Sequence, residues 1–174
     1  RLMDKLIDLF KKNPKFKYFN LDGQTIVLND YLEIRPEKRE VLKKLVASGK
    51  LNIGPWYILP DEFLVSGEAT IRNLLLGDSI AEEFGGKSTV GYLPDMFGHI
   101  SQMPQILKGF GMDVAIMWRG LSWKKYRQEL LWESPDKTKI LAYHLPSCGY
   151  ANAAFFISSV MGGPFKEQLP LNLK

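Results

Sequence analysis

The sequence predicts an α/β fold in which parallel strands are connected by crossover helices and an antiparallel hairpin is appended to the sheet. Amphipathic helical patterns alternate with short apolar runs along residues 1–118, and this alternation is typical of parallel sheets. Further along, Pro135, Asp136 and Lys137 separate two strand-like runs with no helix between them. That arrangement indicates a hairpin.

The first half of the chain is predicted to contain three helices and two strands. Pro36 suits the first turn of a helix, Gly49 lies where that helix should end, and Ser66 is a suitable N-cap for the next one. The pattern over residues 24–35 fits either type of element. The predicted elements are a helix over 1–12, a strand over 16–21 that Asp22 and Gly23 close, a helix over 36–48, a strand over 51–59 and a helix over 67–84.

The second half repeats the alternation and then changes to the hairpin. Glycines follow each predicted helix, at Gly85 and at Gly111, where a helix commonly ends. The predicted elements are a strand over 88–94, a helix over about 103–110, a strand over 113–118 and hairpin strands over 129–133 and 139–145. Catalytic groups in such folds collect where parallel strands end, so residues just after these strands are candidates for a site.

Length, charge and cysteine content exclude several classes of protein. The 174 residues are enough for one domain, and the net charge of +4 is spread over basic residues interspersed with acids, so we expect no nucleic-acid partner. No run of 18 apolar residues occurs, so we expect no membrane span. The single cysteine, Cys148, suits a reducing compartment, and the first residues show no signal peptide. Together these features predict a cytoplasmic location.

The strongest candidate for chemistry is Asp95, which directly follows the predicted strand over 88–94. A carboxylate at this edge could act as a nucleophile, a base or a metal ligand, or it could simply stabilise the loop. Arg119 follows the next strand and should emerge beside Asp95. A neighbouring guanidinium favours the charged form of a carboxylate, which a nucleophile or ligand needs. A purely structural ion pair is the alternative.

His99 is a weaker candidate for a metal ligand. It lies four residues after Asp95, a spacing at which two side chains on one helix could share a metal ion. Gly98 and Pro104 make a regular helix over this stretch improbable. The sequence therefore favours a supporting role for His99.

Trp56 and Tyr57 are candidates for sugar binding. They lie near the end of the predicted strand over 51–59, where aromatic rings could stack on the apolar face of a sugar. Burial of these rings in the core is the alternative, and rings at such positions more often belong to the core.

One short pattern occurs twice. Residues 59–63 and 93–97 both have the form Leu-Pro-Asp-x-Phe, one strand–helix unit apart. If both follow parallel strands, Asp61 and Asp95 should lie at the same edge of the sheet. Asp61 and Glu62 are adjacent in an extended segment and point in opposite directions, so at most one of them should face a site.

Seven short motifs then follow one another in a fixed order. They are Gly54-Pro55-Trp56-Tyr57, Pro60-Asp61-Glu62, Ser66-Gly67-Glu68, Ile71-Arg72-Asn73-Leu74-Leu75-x-Gly77, Tyr92-x-Pro94-Asp95-x-Phe97-Gly98-His99, Gln102-Met103-Pro104-Gln105-Ile106-Leu107 and Trp118-Arg119-Gly120. Together they resemble glycoside hydrolase family 38, the retaining α-mannosidases. The resemblance extends from about Asp22 to the hairpin.

The resemblance implies a fold, a reaction and a cofactor. It implies part of a (β/α)7-type barrel and an enzyme that hydrolyses terminal α-linked mannose with the help of one zinc ion. Asp95 would be both the nucleophile, which forms a covalent glycosyl-enzyme intermediate, and a metal ligand. Arg119 would pair with that nucleophile, and Phe97 would flank the sugar.

The resemblance also implies that residues 1–174 are an internal fragment of a catalytic domain. The other metal ligands, among them a His-x-His-x-Asp-like segment, and the general acid/base are expected elsewhere in the parent enzyme. We therefore expect the 174-residue polypeptide to be inactive alone. Any homo-oligomer would form through those other parts.

Two other functions remain open at this stage. The first is a metal-dependent enzyme similar to polysaccharide deacetylases, in which Asp95 would bind metal or act as a base without a glycosyl intermediate. The second is a carbohydrate-binding domain without catalytic activity, in which the motifs serve folding alone.

Overall fold

The computed structural model describes residues 2–122, 124–147 and 149–151. Single turns of 3-10 helix lie at Pro36–Lys38 and at Gly149–Ala151. The α-helices are α1 (Leu2–Lys12), α2 (Ile26–Ile34), α3 (Arg39–Ala47), α4 (Gly67–Glu83) and α5 (Met103–Gly109). The strands are β1 (Phe19–Asn20), β2 (Leu51–Asn52), β3 (Val90–Leu93), β4 (Val114–Met117), β5 (Glu129–Glu133) and β6 (Lys139–His144).

The larger sheet has the order β3-β4-β6-β5. β3, β4 and β6 run parallel, whereas β5 pairs with β6 as the antiparallel arm of the hairpin. Leu93, Met117 and His144 are register partners at the ends of their strands. The chain therefore leaves all three parallel strands at one edge of the sheet.

The predicted fold class is confirmed in its main features. The described residues contain parallel strands, helices between them and an appended antiparallel hairpin. They form this sheet and a separate two-stranded parallel sheet of β1 and β2, and they do not close into a barrel. Residues 24–35, which the sequence left undecided, contain helix α2.

The small sheet adjoins the large one through the segment after β2. The indole N–H of Trp56 donates to the carbonyl oxygen of Tyr92 at 2.9 Å, and the N–H of Ser88 donates to that of Ile53 at 2.9 Å. β2 is shorter than predicted because Gly54 turns the chain at φ +68° and Pro55 has no N–H to donate to a ladder.

Helix α4 lies directly on this connecting segment. Its N-terminus has the predicted cap, since Ser66 Oγ accepts from the N–H of Ala69 at 3.1 Å. Asn73 Oδ1 accepts from the N–H groups of Tyr57 and Ile58, both at 3.0 Å. At Gly77 the helix comes so close that a Cβ atom would overlap the backbone of residues 55–57.

Apolar side chains fill two clusters on either side of this junction. One lies among α1, α2, α3 and the segment around β2, and the other among β3, β4, β6 and α5. In the second, Gly91 leaves room for α5, because a Cβ there would lie 2.5 Å from Leu107 Cδ1. None of the helices in the described ranges has the length and apolarity to cross a lipid bilayer.

We predict that Gly77→Ala destabilises the protein even though alanine is the better helix former. The new Cβ would lie 2.5 Å from the backbone carbon of Trp56 and from the backbone nitrogen of Tyr57. Overpacking of this kind costs about 1–3 kcal/mol, which should appear as a lower midpoint of thermal unfolding.

Gly67→Ala is the matched control in the same helix, because nothing lies within 4 Å of a Cβ at that position. It should leave the midpoint unchanged or raise it slightly. Equal stability of the two variants would show that α4 does not pack this closely against the backbone of residues 55–57.

Candidate active site

Asp95 and Arg119 lie side by side at the edge where the parallel strands end. β3 and β4 are in register, so the residues after Leu93 and Met117 emerge next to each other. Arg119 Nε donates to Asp95 Oδ1 at 2.7 Å, and the Arg119 backbone N–H donates to the Pro94 carbonyl at 3.1 Å. Both side chains are nearly half exposed, 44% for Arg119 and 45% for Asp95. The pair is therefore open to a ligand from solvent.

The second oxygen of Asp95 also has a hydrogen-bond donor. The hydroxyl of Tyr150 donates to Asp95 Oδ2 at 2.9 Å. This hydrogen bond, together with burial and the negative charge of Asp95, raises the pKa of Tyr150 above its ordinary value. Tyr150 is a site residue that the sequence analysis missed, because it follows the hairpin in a stretch without a periodic pattern.

Aromatic rings surround the Arg119 guanidinium. Its Cζ lies 4.3 Å from the centroid of the Trp118 ring and 5.9 Å from that of the Phe97 ring. The Trp118 ring meets that of Tyr150 edge to face, with 5.4 Å between centroids. Such contacts hold a planar cation in place. Phe97 is itself 75% exposed, so its ring is available to a ligand.

A second carboxylate, Asp22, lies within electrostatic range of Asp95. Partial burial raises the pKa of Asp22, the hydroxyl of Tyr92 lowers it by hydrogen bonding, and the charge of Asp95 raises it again. Burial and Asp22 in turn raise the pKa of Tyr92. Gly23 fits against the Tyr92 ring, where a Cβ would lie 2.5 Å from Cδ1. The sequence analysis had assigned Asp22 only to a turn.

His99 braces the two loops that carry the ion pair. Its Nε2–H donates to the carbonyl oxygen of Arg119 at 2.9 Å, and its Nδ1 shares a hydrogen bond with Glu62 Oε1 at 2.8 Å. Both side chains are buried, with 6% exposure for His99 and 0% for Glu62. Both ring nitrogens are engaged, so His99 is not placed to bind a metal ion.

The repeated Leu-Pro-Asp-x-Phe pattern brings Glu62, not Asp61, to the loop of Asp95. Glu62 Oε2 accepts from the N–H of Ile100 at 2.7 Å, which ties the first copy of the pattern to the segment after the second. Asp61 has no hydrogen bond to this loop within the described ranges, and its buried Oδ1 has no hydrogen-bond partner there. The expectation that at most one of these acids faces the site agrees with this arrangement.

The structure places Trp56 in the core and not at a sugar-binding surface. Its side chain is fully buried, at 0% exposure, and its indole N–H is bonded to the sheet, so it presents no ring face to a ligand. The prediction that Trp56 binds substrate is therefore wrong in this structure. Tyr57 is half-buried, with its backbone held by Asn73, and a role in substrate binding stays a prediction.

Asp95 could serve as one metal ligand, but the described residues do not form a complete metal site. Among the described residues each oxygen of Asp95 accepts one hydrogen bond, from Arg119 or from Tyr150, and so has a second lone pair that a metal ion could use. No group of three or more His, Cys, Asp or Glu side chains in the described ranges could hold an ion. A zinc ion would need most of its ligands from elsewhere in the protein.

Comparison with known proteins gives consistent matches. Residues 1–164 match the family model for the N-terminal domain of glycosyl hydrolases family 38. A putative mannosylglycerate hydrolase from Halalkalibacterium halodurans is 44% identical over 154 residues, which are 81% of this chain and 17% of that protein. Alpha-mannosidase G from Dictyostelium discoideum is 32% identical over 147 residues, 81% of this chain and 13% of that protein.

A solved structure agrees with these matches. The crystal structure of an alpha-mannosidase from Enterococcus faecalis V583 has a TM-score of 0.82 and 42% identity, and the match covers 87% of this chain and 17% of that one. The chain thus spans less than a fifth of the length of the relatives it matches, 17% of the first and 13% of the second.

We predict that Asp22→Asn stabilises the protein at neutral pH. The pKa of Asp22 in the folded state lies above its ordinary value of 3.8, so ionisation of Asp22 costs stability at every pH above the folded-state pKa. The asparagine removes that cost and tolerates the φ of +34° at this position. The gain in thermal midpoint should shrink as the pH falls through the raised pKa of folded Asp22 and should vanish below the ordinary value of 3.8.

Asp30→Asn, on the exposed face of α2, is the control and should show no gain that depends on pH. A gain for Asp22→Asn that stays constant with pH, or a loss at neutral pH, would contradict the placement of Asp22.

Proposed function

Because the chain belongs to glycosyl hydrolase family 38, we propose that it supplies the nucleophile of a retaining α-mannosidase. The observation that carries this proposal is the ion pair of Asp95 and Arg119, half exposed at the edge where the parallel strands end. A carboxylate that is paired with a guanidinium on one oxygen, accepts only a neutral hydroxyl on the other within the described ranges, and lies half exposed beside an exposed aromatic ring suits attack on a sugar.

In this mechanism Asp95 Oδ2 attacks the anomeric carbon of the terminal mannose. A new bond joins Oδ2 to that carbon, the glycosidic C–O bond breaks, and the leaving oxygen takes a proton from an acid elsewhere in the enzyme. In the second step the same group, now a base, takes a proton from water, the water oxygen bonds to the anomeric carbon and the bond to Oδ2 breaks, which restores the carboxylate with overall retention. Arg119 stays bonded to Oδ1 and orients the carboxylate, while the sugar displaces the hydroxyl of Tyr150 from Oδ2 before the attack.

Asp95 is also proposed to contribute one ligand to a zinc ion whose other ligands lie elsewhere in the full-length enzyme. When bound, the ion would supply Lewis-acid contacts to mannose hydroxyls. Phe97 would pack against the sugar, because its ring is exposed beside the guanidinium of Arg119.

The proposed substrates carry a terminal α-linked mannose, either in a glycan or in a small mannoside. A relative whose name is putative mannosylglycerate hydrolase supports the small mannoside, and relatives that are named α-mannosidases support the wider class. In the full-length enzyme these strands would form part of a (β/α)7-type barrel in the cytoplasm. The 174-residue polypeptide alone would be inactive, since it would lack the acid/base.

We predict that Asp95→Asn in the full-length enzyme lowers kcat on an aryl α-mannoside by roughly 10³-fold or more, because the amide is a poor nucleophile. Asp113→Asn is the matched control. Asp113 is an exposed acid that pairs with Lys108 and precedes β4, at the opposite end of the sheet. Its loss should leave kcat almost unchanged, and equal activity of the two variants would refute the assignment of Asp95.

We also predict that removal of divalent metal ions from the full-length enzyme with a chelator abolishes hydrolysis and that added zinc restores it. The expected loss follows from the contacts that zinc would make to the sugar. Elemental analysis should accompany the assay. Full activity in enzyme shown to be free of metal would reject the zinc proposal and leave the nucleophile assignment standing.

A further inference from the structure

We propose that His99 and Glu62 are positioning residues that fix Arg119, and through it Asp95, in the reactive geometry. The inference rests on the proposed function, because it concerns how the nucleophile of that reaction is held. It follows from hydrogen bonds, burial and close packing around two loops, those after β3 and after β4.

Arg119 is held at three points. Its backbone N–H donates to Pro94 and its carbonyl oxygen accepts from His99, at 3.1 Å and 2.9 Å, while its side chain bonds to Asp95 at 2.7 Å. Pro94, Asp95 and His99 all belong to the loop after β3. The two loops are therefore joined by one bond between backbone groups and one bond from the His99 ring to the backbone of Arg119, in addition to the ion pair.

Glu62 fixes the ring of His99 from the far side. Its carboxylate is fully buried and accepts from Ile100 on one oxygen while it shares a proton with His99 Nδ1 on the other. A carbonyl oxygen can only accept, so the bond to Arg119 requires a proton on His99 Nε2. Glu62 thus satisfies Nδ1 and leaves Nε2–H directed at Arg119. Removing one partner from such a buried pair strongly destabilises the folded state, because the other partner is left buried and unpaired.

Close packing leaves the hydrogen-bonded pair of Glu62 and His99 little freedom to shift. Gly120, at φ +81°, lies so near that a Cβ would be 2.9 Å from His99 Nε2 and 3.0 Å from the backbone of Gly98. Gly98 in turn lies against the Phe63 ring, and Trp132 meets the His99 ring edge to face at 5.4 Å between centroids. The loops after β3 and β4 therefore touch each other closely at Gly98, His99 and Gly120.

The ion pair itself is too exposed to set its own geometry. Exposed ion pairs contribute about 0–1 kcal/mol, whereas displacement of a catalytic group by about 1 Å can cost roughly 100-fold in rate. The buried clamp of Glu62 and His99 supplies the rigidity that the exposed pair lacks. Its loss should lower kcat while KM changes little, because neither residue reaches the sugar.

Two substitutions of His99 in the full-length enzyme separate the two hydrogen bonds. The amide nitrogen of His99→Gln falls near the position of Nε2 and keeps the bond to Arg119, whereas that of His99→Asn falls near Nδ1 and keeps only the bond to Glu62. We expect His99→Asn to lower kcat by roughly 10- to 100-fold with KM within about threefold, and His99→Gln to keep most of the wild-type kcat.

Glu62 provides an independent pair of variants. The amide of Glu62→Gln can donate to His99 Nδ1 and accept from Ile100, so it should rescue kcat, whereas Glu62→Leu removes both bonds and should lower it like His99→Asn. If one variant does not fold, the other pair decides. Thermal midpoints measured alongside separate loss of stability from loss of rate.

The second readout is the rate at which a fluorinated mannosyl inhibitor labels Asp95, followed by mass spectrometry of the peptide. Labelling of His99→Asn should slow by the same factor as kcat. Unchanged labelling and kcat in His99→Asn and Glu62→Leu would overturn the positioning role, as would equal losses in both members of each pair. If active wild-type enzyme is not labelled at Asp95, the proposed function itself fails.

Discussion

The hydrogen-bonded ion pair of Asp95 and Arg119 is the constraint on which the site depends. Each residue is the second one after the end of a parallel strand, and the register of β3 and β4 brings the two together. The pair is nearly half exposed, so it adds little to the stability of the fold. Its geometry comes instead from buried neighbours, above all Glu62 and His99. The buried and the exposed groups thus come from different places, since Glu62 lies between β2 and α4 whereas His99, Asp95 and Arg119 lie in the loops after β3 and β4.

The site also concentrates negative charge. Burial and the charge of Asp95 both raise the pKa of Asp22, and Arg119 is the cation bonded to Asp95 in the described ranges. Like charges held together cost stability in the absence of a ligand. A positively charged ligand, or the developing positive charge of an oxocarbenium-like transition state, would relieve that cost. The arrangement therefore favours the reaction that we propose over simple binding of a neutral sugar.

The sequence could predict features that depend on local pattern, and those that follow because parallel strands all end at one edge of a sheet. The Ser66 cap, the hairpin and the adjacency of Asp95 and Arg119 are of this kind, and the structure contains all three. Contacts between loops have no periodicity, so Tyr150 at Asp95 and Glu62 at His99 were not foreseen. Trp56 was a candidate for sugar binding with burial in the core as the alternative, because position along a strand does not reveal that its ring turns into the junction between the sheets.

The most direct test of the account is a crystal structure of the full-length enzyme trapped with a fluorinated mannosyl inhibitor. We predict continuous electron density from the anomeric carbon to Asp95 Oδ2, with Arg119 Nε still bonded to Oδ1 and the hydroxyl of Tyr150 displaced. Attachment of the sugar to any other residue, or a bound inhibitor with Asp95 turned away from the anomeric carbon, would contradict it.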